Sequence, residues 1–475
     1  MNVKYPLLVF GGLLPFTAYS AEENSDEKPM NVLFLLADDL RWNSLHCMGT
    51  DFLITPNIDK LAEDGVIFRN AYVTTGISCV SRATILTGQY MCRHHVRDFA
   101  TVIPEDRFQD TYPAQLRKAG YWTGHVGKYG VGRIRHKDFD FTSIYEGIHW
   151  YPKDPKVKIE KLGGGYTRIN GDSIHVTQKN MNDALRFLET RPKDKPFCLS
   201  VGFYATHAED AHPDQYRYQP SSEKYYQDVD IPVPATAKDE YLKRLPDFLQ
   251  EAQNEGRVRW HWRYDTPEKY QKMMKAYYRL LTEVDIAVGA MIEKLKEQGV
   301  YENTIIVFMG DNGYFHSEHQ LADKWYPYEE AMRVPLIIHD PRISKDRRNI
   351  NCNEFALNID IAPTLLSAAG IKVPESMQGE DLADLYLRNE TDKWRKDFYY
   401  EHPIITRKER IPSSEALMTG DKKYIYWPDY KQEEYFDLSK DPQEIHNRIS
   451  DKSCKEEIKK MKARFEELKK KANEK

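Results

Sequence analysis

Apolar runs recur along the chain, and the first and clearest of them stops at acids. Asn31 to Leu40 (NVLFLLADDL) carries no polar residue between Asn31 and Asp38, and Thr304 to Gly313 (TIIVFMGDNG) is apolar up to Asp311 and Asn312. Such runs lack the alternation of a half-exposed strand and predict strands covered on both faces. Further strands are expected at Pro196 to Ala205 (PFCLSVGFYA) and Val334 to Asp340 (VPLIIHD). Between them the period changes. TPNIDKLAEDGVIFRNAYV reads as a helix with Thr55 or Asn57 as cap and Pro56 in its first turn, a stop at Gly65, and a second strand. TYPAQLRKAGYWTGHVGKYG repeats helix, Gly120, strand and a glycine-rich loop, and YYRLLTEVDIAVGAMIEKLKEQG is a helix leading into the strand at Thr304. This rhythm predicts an α/β fold: a large, mainly parallel or mixed sheet sandwiched by helices over residues 29–370.

After about Gly370 the segments become short, aromatic and separated by turns, as in DFYYEHP, EALMTGDKKYIYWP and EEYFDLSKDPQE. They predict an antiparallel sheet, followed by a charged, partly amphipathic helix from SCKEEIKKMKARFEELKKKANEK. Residues 371–475 are expected to form a smaller α+β subdomain packed on the larger part, with the lysines of the last helix as a solvated face.

The opening MNVKYPLLVFGGLLPFTAYSAEEN joins Lys4, an apolar stretch and small residues before an acidic run. It reads as a signal peptide over residues 1–20, cut near Ser20 or Ala21, and places the mature protein in the periplasm or outside the cell. No later stretch is apolar for long enough to span a membrane. The net charge of −5 gives no basic field for nucleic acid, and the six cysteines lack zinc spacings and are assigned no disulfide.

Ligands of open α/β sheets bind beyond the carboxyl ends of strands. Asp38, Asp39, Asp311 and Asn312 at two such ends would make an oxygen-only nest suited to a hard divalent cation such as Ca²⁺. Either pair alone would be ordinary turn chemistry; two tips in one sheet favour a metal. Arg82, Lys128, Lys324 and His207 also follow predicted strands or lie in glycine-rich loops. A divalent cation with several fixed cations suits the transfer of a tetrahedral oxyanion. In TTGISCVSRATILTGQY these residues alone leave open whether Ser78 or Cys79 does chemistry.

NVLFLLADDL, TPNIDKLAEDGVIFRNAYV, SCVSRATILTGQY, GYWTGHVGKYGVG, FMGDNG and LADKWYPYEEAMRVPLII occur in the order seen in type I, formylglycine-dependent sulfatases of the alkaline phosphatase superfamily, which the chain resembles over essentially its whole mature length. The resemblance implies an alkaline-phosphatase-like fold and, through an arginine four residues after the modified residue, selects Ser78. It implies that Ser78 is oxidised to formylglycine (3-oxoalanine) by a serine-type maturation enzyme. Asp38, Asp39, Asp311, Asn312 and the modified Ser78 would hold calcium. Arg82 would steady the hydrated aldehyde, Lys128 and Lys324 would hold the sulfate, and His207 would protonate the leaving alcohol. The chain departs from the family at Val80, where proline or alanine is usual, and at Tyr129 and Gly130, where GKYG replaces Gly-Lys-Trp-His. That histidine contacts the formylglycine hydroxyl, and His125, His316 and His319 are candidates to replace it.

The resemblance implies a sulfated saccharide as substrate: glycosaminoglycan, mucin or algal fragments. Arg257, Arg259 and Arg263 in EGRVRWHWRYDTPEKY, with His212 and His402, are candidate sugar contacts; an exposed arm before the next helix is the competing reading of that segment. A phosphoesterase or phosphonate hydrolase of the same superfamily and a catalytically silent sulfated-glycan-binding protein are the alternatives.

Overall fold

The computed structural model describes residues 29–161, 167–210 and 212–474. The expected leader lies outside the described residues. The main sheet has eight strands: β1 (Asn31–Ala37), β2 (Val66–Tyr72), β3 (Trp122–Gly127), β4 (Phe141–Ser143), β5 (Phe197–Gly202), β6 (Thr304–Gly310), β7 (Leu336–His339) and β8 (Ile350–Leu357). Their order is β8-β2-β7-β6-β1-β5-β3-β4. All neighbours are parallel except β7, which runs antiparallel to both β6 and β2.

The unbroken apolar runs follow from coverage on both faces. Along β1, Leu33, Leu35 and Ala37 enter one core with helices α1 (Pro56–Glu63), α4 (Val176–Thr190) and α6 (Pro267–Glu297). Val32, Phe34 and Leu36 enter the opposite core with α2 (Ser78–Thr87), α3 (Tyr112–Lys118) and α7 (Ile361–Ala368). The period of two therefore survives as a choice between two buried faces. A further helix, α5 (Glu255–Arg263), precedes α6 and packs beside the hairpin at 315–323.

The smaller sheet is a four-stranded antiparallel meander of β9 (Asp397–His402), β10 (Ser414–Thr419), β11 (Lys422–Trp427) and β12 (Gln432–Asp437). Phe398, Tyr400, Ala416 and Met418 face a core shared with Tyr72, Trp325 and Tyr328 of the larger part. Tyr399, Leu417, Tyr424 and Tyr435 point the other way, onto Ile458, Met461 and Phe465 of α8 (Lys455–Asn473). The last helix thus covers its own chain, with most of its lysines exposed. Among the described residues no helix is long and apolar enough to cross a membrane, and no two of the six cysteines are bonded.

Phe465 meets Tyr424 edge-on at 5.4 Å and Tyr399 at 5.8 Å. Phe465→Ala should cost about 3 kcal/mol locally. The expected result is a lower denaturation midpoint and faster proteolytic release of α8; unchanged values would mean that α8 is held by other contacts.

Candidate active site

β6, β1 and β5 lie side by side and parallel, so their carboxyl ends share one edge. Ala37 pairs with Gly310, which sets Asp38–Asp39 beside Asp311–Asn312. The Asp311 amide donates to the Ala37 carbonyl at 3.0 Å, and the Asp39 amide to Asp311 Oδ1 at 3.1 Å. From the next strand, Thr206 N donates to the Asp38 carbonyl at 2.9 Å, which fixes the loop carrying His207.

β2 runs parallel to this group, and the loop after it brings in α2 with Ser78 as its first residue. Ser78 Oγ donates to Asp38 Oδ1 at 2.9 Å and lies 3.3 Å from Asn312 Oδ1. One helical turn places Arg82 on the same side. Its Nε donates to Asp311 Oδ2 at 2.8 Å and its Nη1 to the Lys128 carbonyl at 2.8 Å. Arg82 Nη2 is buried with no hydrogen-bond partner among the described residues and stands 3.9 Å from Asp38 Oδ2. Cys79 is fully buried in a hydrophobic core, where burial pushes its thiol up to about 12.

Lys128 follows β3 and contacts Asp38; Lys324 follows the short hairpin of Phe315–His316 and Ala322–Asp323 and contacts Asp39. His207 Nε2 is 3.6 Å from Asp39 Oδ2, while its Nδ1 is 2.6 Å from the Ala208 carbonyl. The residues expected to meet at this edge therefore do so: Asp38, Asp39, Ser78, Arg82, Lys128, His207, Asp311, Asn312 and Lys324.

The charges are costly where they stand. Asp38 and Asp311 are fully buried and Asp39 nearly so. Burial alone would raise the Asp38 carboxyl, but Lys128, His207, Arg82 and Lys324 together outweigh it and hold Asp38 well below the usual carboxylate range. Asp311 is pushed up to about 6, by burial first and by the neighbouring Asp38 charge second. Ser78 Oγ has one proton and two acceptors, so one of its two oxygen contacts has no donor. Three carboxylates and an amide oxygen gathered at one buried edge, with one of their contacts to Ser78 lacking a proton, are the oxygen donor set of a hard divalent cation. Ligand atoms of Asp38, Asp39 and His207 lie within 4.8 Å of one another.

A cavity of about 570 Å³ opens over this edge, with Lys128, Lys324 and His207 on its wall. Of the candidate sugar contacts, Arg259 lines it. Arg263 does not: it is fully buried and bonded to Asp210, Asp323, Gln215 and the Tyr314 hydroxyl, so its donors are spent inside the fold. Arg257 stacks over Trp260 at 4.5 Å and donates to the Gln320 carbonyl. His402 is buried at the end of β9, where burial holds its ring down at about 3. His212 Nδ1 accepts from the Asp214 amide at 3.1 Å. Arg257, Arg263 and His402 are thus not among the residues that line this cavity, and the segment read alternatively as an exposed arm is a half-buried helix, α5. Asp210, Glu255 and Arg410, unforeseen from the sequence, share the cavity wall.

Gly130 sits next to Arg82: a Cβ there would lie 2.8 Å from Arg82 Cδ, and φ is +71°. Its amide donates to Glu146 Oε2 at 3.1 Å. Of the three histidines expected as candidates to replace the family residue, His125 meets the Lys128 carbonyl through Nε2 at 3.2 Å and is edge-on to Tyr129. His316 lies among Tyr264, Tyr277 and Tyr314, and His319 is bonded to the Gln443 carbonyl at 3.0 Å. None of the three contacts Ser78.

A family model described as sulfatase matches residues 30–371, and one described as N-sulphoglucosamine sulphohydrolase, C-terminal, matches residues 317–471. An N-acetylglucosamine-6-O-sulfatase of Bacteroides thetaiotaomicron is 29% identical over 504 aligned positions, covering 92% of this chain and 86% of the relative. An arylsulfatase of Clostridium perfringens is 27% identical over 463 positions, covering 90% and 92%. The solved structure of BT4656 in complex with its substrate D-glucosamine-2-N,6-O-disulfate matches with a TM-score of 0.77 at 26% identity, over 94% of this chain and 98% of that one. A phosphonate monoester hydrolase of Agrobacterium radiobacter matches with a TM-score of 0.77 at 20% identity over 94% and 96%, a likeness of fold alone. With a family model covering most of the chain and sulfatases among its relatives, the chain belongs to the sulfatase family of the alkaline phosphatase superfamily and is a sulfuric ester hydrolase.

Proposed function

We propose that this protein is an exported sulfatase that hydrolyses sulfate esters of saccharides, using calcium and a formylglycine made from Ser78 by a serine-type maturation enzyme. The observation that carries the reading is Ser78 itself, placed at the start of α2 between Asp38 and Asn312 with an unpartnered Arg82 nitrogen beside it. A buried guanidinium N–H without an acceptor fits a site that is completed by one more oxygen. Sulfated amino sugars are the favoured substrates, because similar proteins are named for N-acetylglucosamine-6-O-sulfate or were solved with D-glucosamine-2-N,6-O-disulfate. The leader-like residues 1–20 support export.

Asp38, Asp39, Asp311 and Asn312 would hold the calcium. When present, the cation supplies charge neutralisation and Lewis acidity, and the oxidised Ser78 supplies a hydrated aldehyde as nucleophile. The protein's own groups do the rest. Lys128 and Lys324, on the cavity wall and paired with Asp38 and Asp39, would hold the peripheral oxygens of a sulfate, and their burial would strengthen that attraction. Arg82, tied to Asp311 and to the Lys128 carbonyl, is fixed as a donor to the nucleophile. The Ala208 carbonyl only accepts, so His207 carries a proton on Nδ1, and it would protonate the leaving alcohol from Nε2 as the imidazolium, which holds a second proton there. Among the described residues the Asp38, Asp39 and His207 group is the one set of three or more that meets a metal-ligand spacing, which favours a monoanionic sulfate ester over a dianionic phosphate needing two metals.

The test is sulfate release from a panel of sulfated mono- and disaccharides, with Ser78→Cys protein made in a host that converts cysteine to formylglycine. Release from 6-O-sulfated amino sugars is expected, with Ser78→Ala inactive. Binding without release, once formylglycine is confirmed by mass spectrometry, would instead establish a silent glycan-binding protein.

Asp311→Ala should lower sulfate release about 100-fold or more and abolish the rise in melting temperature caused by calcium. Retention of both would displace the metal from this edge. Gly130→Ala should push Arg82 aside, cost about 1–3 kcal/mol of stability and slow sulfate release roughly tenfold. A variant with native melting temperature and rate would show that Arg82 has room to move.

A further inference from the structure

One wall of the cavity over the site is a row of alternating charges. Asp210, three residues past His207, is paired with both Arg259 and Arg263, which meet on the same carboxylate oxygen, Oδ1. Arg259 Nε donates to Glu255 Oε1 at 2.8 Å, and Glu255 in turn holds Arg410. Arg410 comes from the loop between β9 and β10, and its carbonyl accepts from the Glu255 amide at 3.0 Å, so both its backbone and its side chain are fixed to the start of α5.

Two members of the row stay open to the cavity. The Asp210 side chain is 30% exposed and that of Arg410 is 38% exposed, against 16% for Arg259 and 7% for Glu255. Burial alone would raise the Asp210 carboxyl, but Arg263 and Arg259 outweigh it and keep the group ionised. The row is electrically balanced: with Arg263 and Asp323 behind it, three arginines face Asp210, Glu255 and Asp323. A balanced row exerts little net pull on a second sulfate. It offers a fixed acceptor and a fixed donor, which is the complement of neighbouring hydroxyl groups.

We propose that Asp210 and Arg410 are specificity-determining residues that bind hydroxyl groups of the sugar ring bearing the scissile sulfate, Asp210 as acceptor and Arg410 as donor. This rests on the reading of the site as a saccharide sulfatase. Neither residue touches the reacting atoms; they discriminate a hydroxylated ring from a flat aromatic alcohol bearing the same ester. A preference follows for saccharides whose hydroxyls at the two contacted ring positions are free over those in which these positions are blocked.

The test compares Arg410→Gln and Asp210→Asn with the active Ser78→Cys parent on a 6-O-sulfated amino sugar and on 4-nitrophenyl sulfate. The ratio of kcat/KM for the saccharide to that for the aryl ester should fall at least tenfold in each variant, mainly through KM. Calorimetric titration of the same sugar into unconverted protein, where Ser78 is intact, should show a matching loss of affinity. Asp210→Asn takes a partner from buried Arg263 and is at risk of misfolding; Arg410→Gln leaves Glu255 paired with Arg259 and keeps the test decisive. An unchanged ratio in folded Arg410→Gln, or equal loss on both substrates, would overturn the proposal. Failure of the parent on every saccharide while it still cleaves the aryl ester would instead overturn the saccharide reading itself.

Discussion

Three carboxylates buried at the ends of two paired strands dominate the architecture. Left alone, each would cost several kcal/mol in lost hydration. Compensation comes from Arg82 on α2, Lys128 after β3 and Lys324 after the hairpin at 315–323. Each cation arrives on a separate element, so the charge balance also fixes how helix, strands and hairpin meet. The same pairing explains how an anion could be received: cations already desolvated in a wall need no reorganisation to meet one.

The site was legible in the sequence because a continuous apolar run says where a strand ends, and parallel strands bring their ends to one edge. Asp38–Asp39 and Asp311–Asn312 are readable on those grounds, whereas the choice of Ser78 over Cys79 came only from the family resemblance. The order of the strands was not legible. Nor was the reversal of β7: VPLIIHD is apolar throughout, and a strand buried on both faces has the same pattern in either direction. The arginines of α5 show a different limit. Arg263 looks like a surface cation because its partners Asp210 and Asp323 lie 53 and 60 residues away. Nothing local in EGRVRWHWRYD separates the buried arginine from the one that reaches the cavity.

Gly130 shows how one position constrains several. The left-handed backbone there and the 2.8 Å approach to Arg82 mean that a side chain would collide with the path of Arg82. A histidine would need both the backbone and Arg82 to move. The tyrosine before it belongs to the same arrangement, since Tyr129 packs on His125, which in turn meets the Lys128 carbonyl that Arg82 uses. Gly130, Tyr129, His125 and Arg82 are therefore one packed unit.

The small C-terminal sheet takes part in the site through one tyrosine. The Tyr400 hydroxyl on β9 accepts from the Gly76 amide at 3.1 Å and donates to the Trp325 carbonyl at 3.1 Å. Gly76 lies two residues before Ser78, and Trp325 directly follows Lys324. The adjoining Glu401 amide donates to the Thr74 carbonyl at 3.0 Å. One strand of the second sheet thus ties the loop that carries Ser78 to the loop that carries Lys324. The loop leaving that strand then supplies Arg410 to the cavity wall. A β9 displaced by a fraction of an ångström would shift Ser78, Lys324 and the Arg410 wall of the cavity together, which is why the C-terminal sheet and the strand-end cluster form one unit in physical terms.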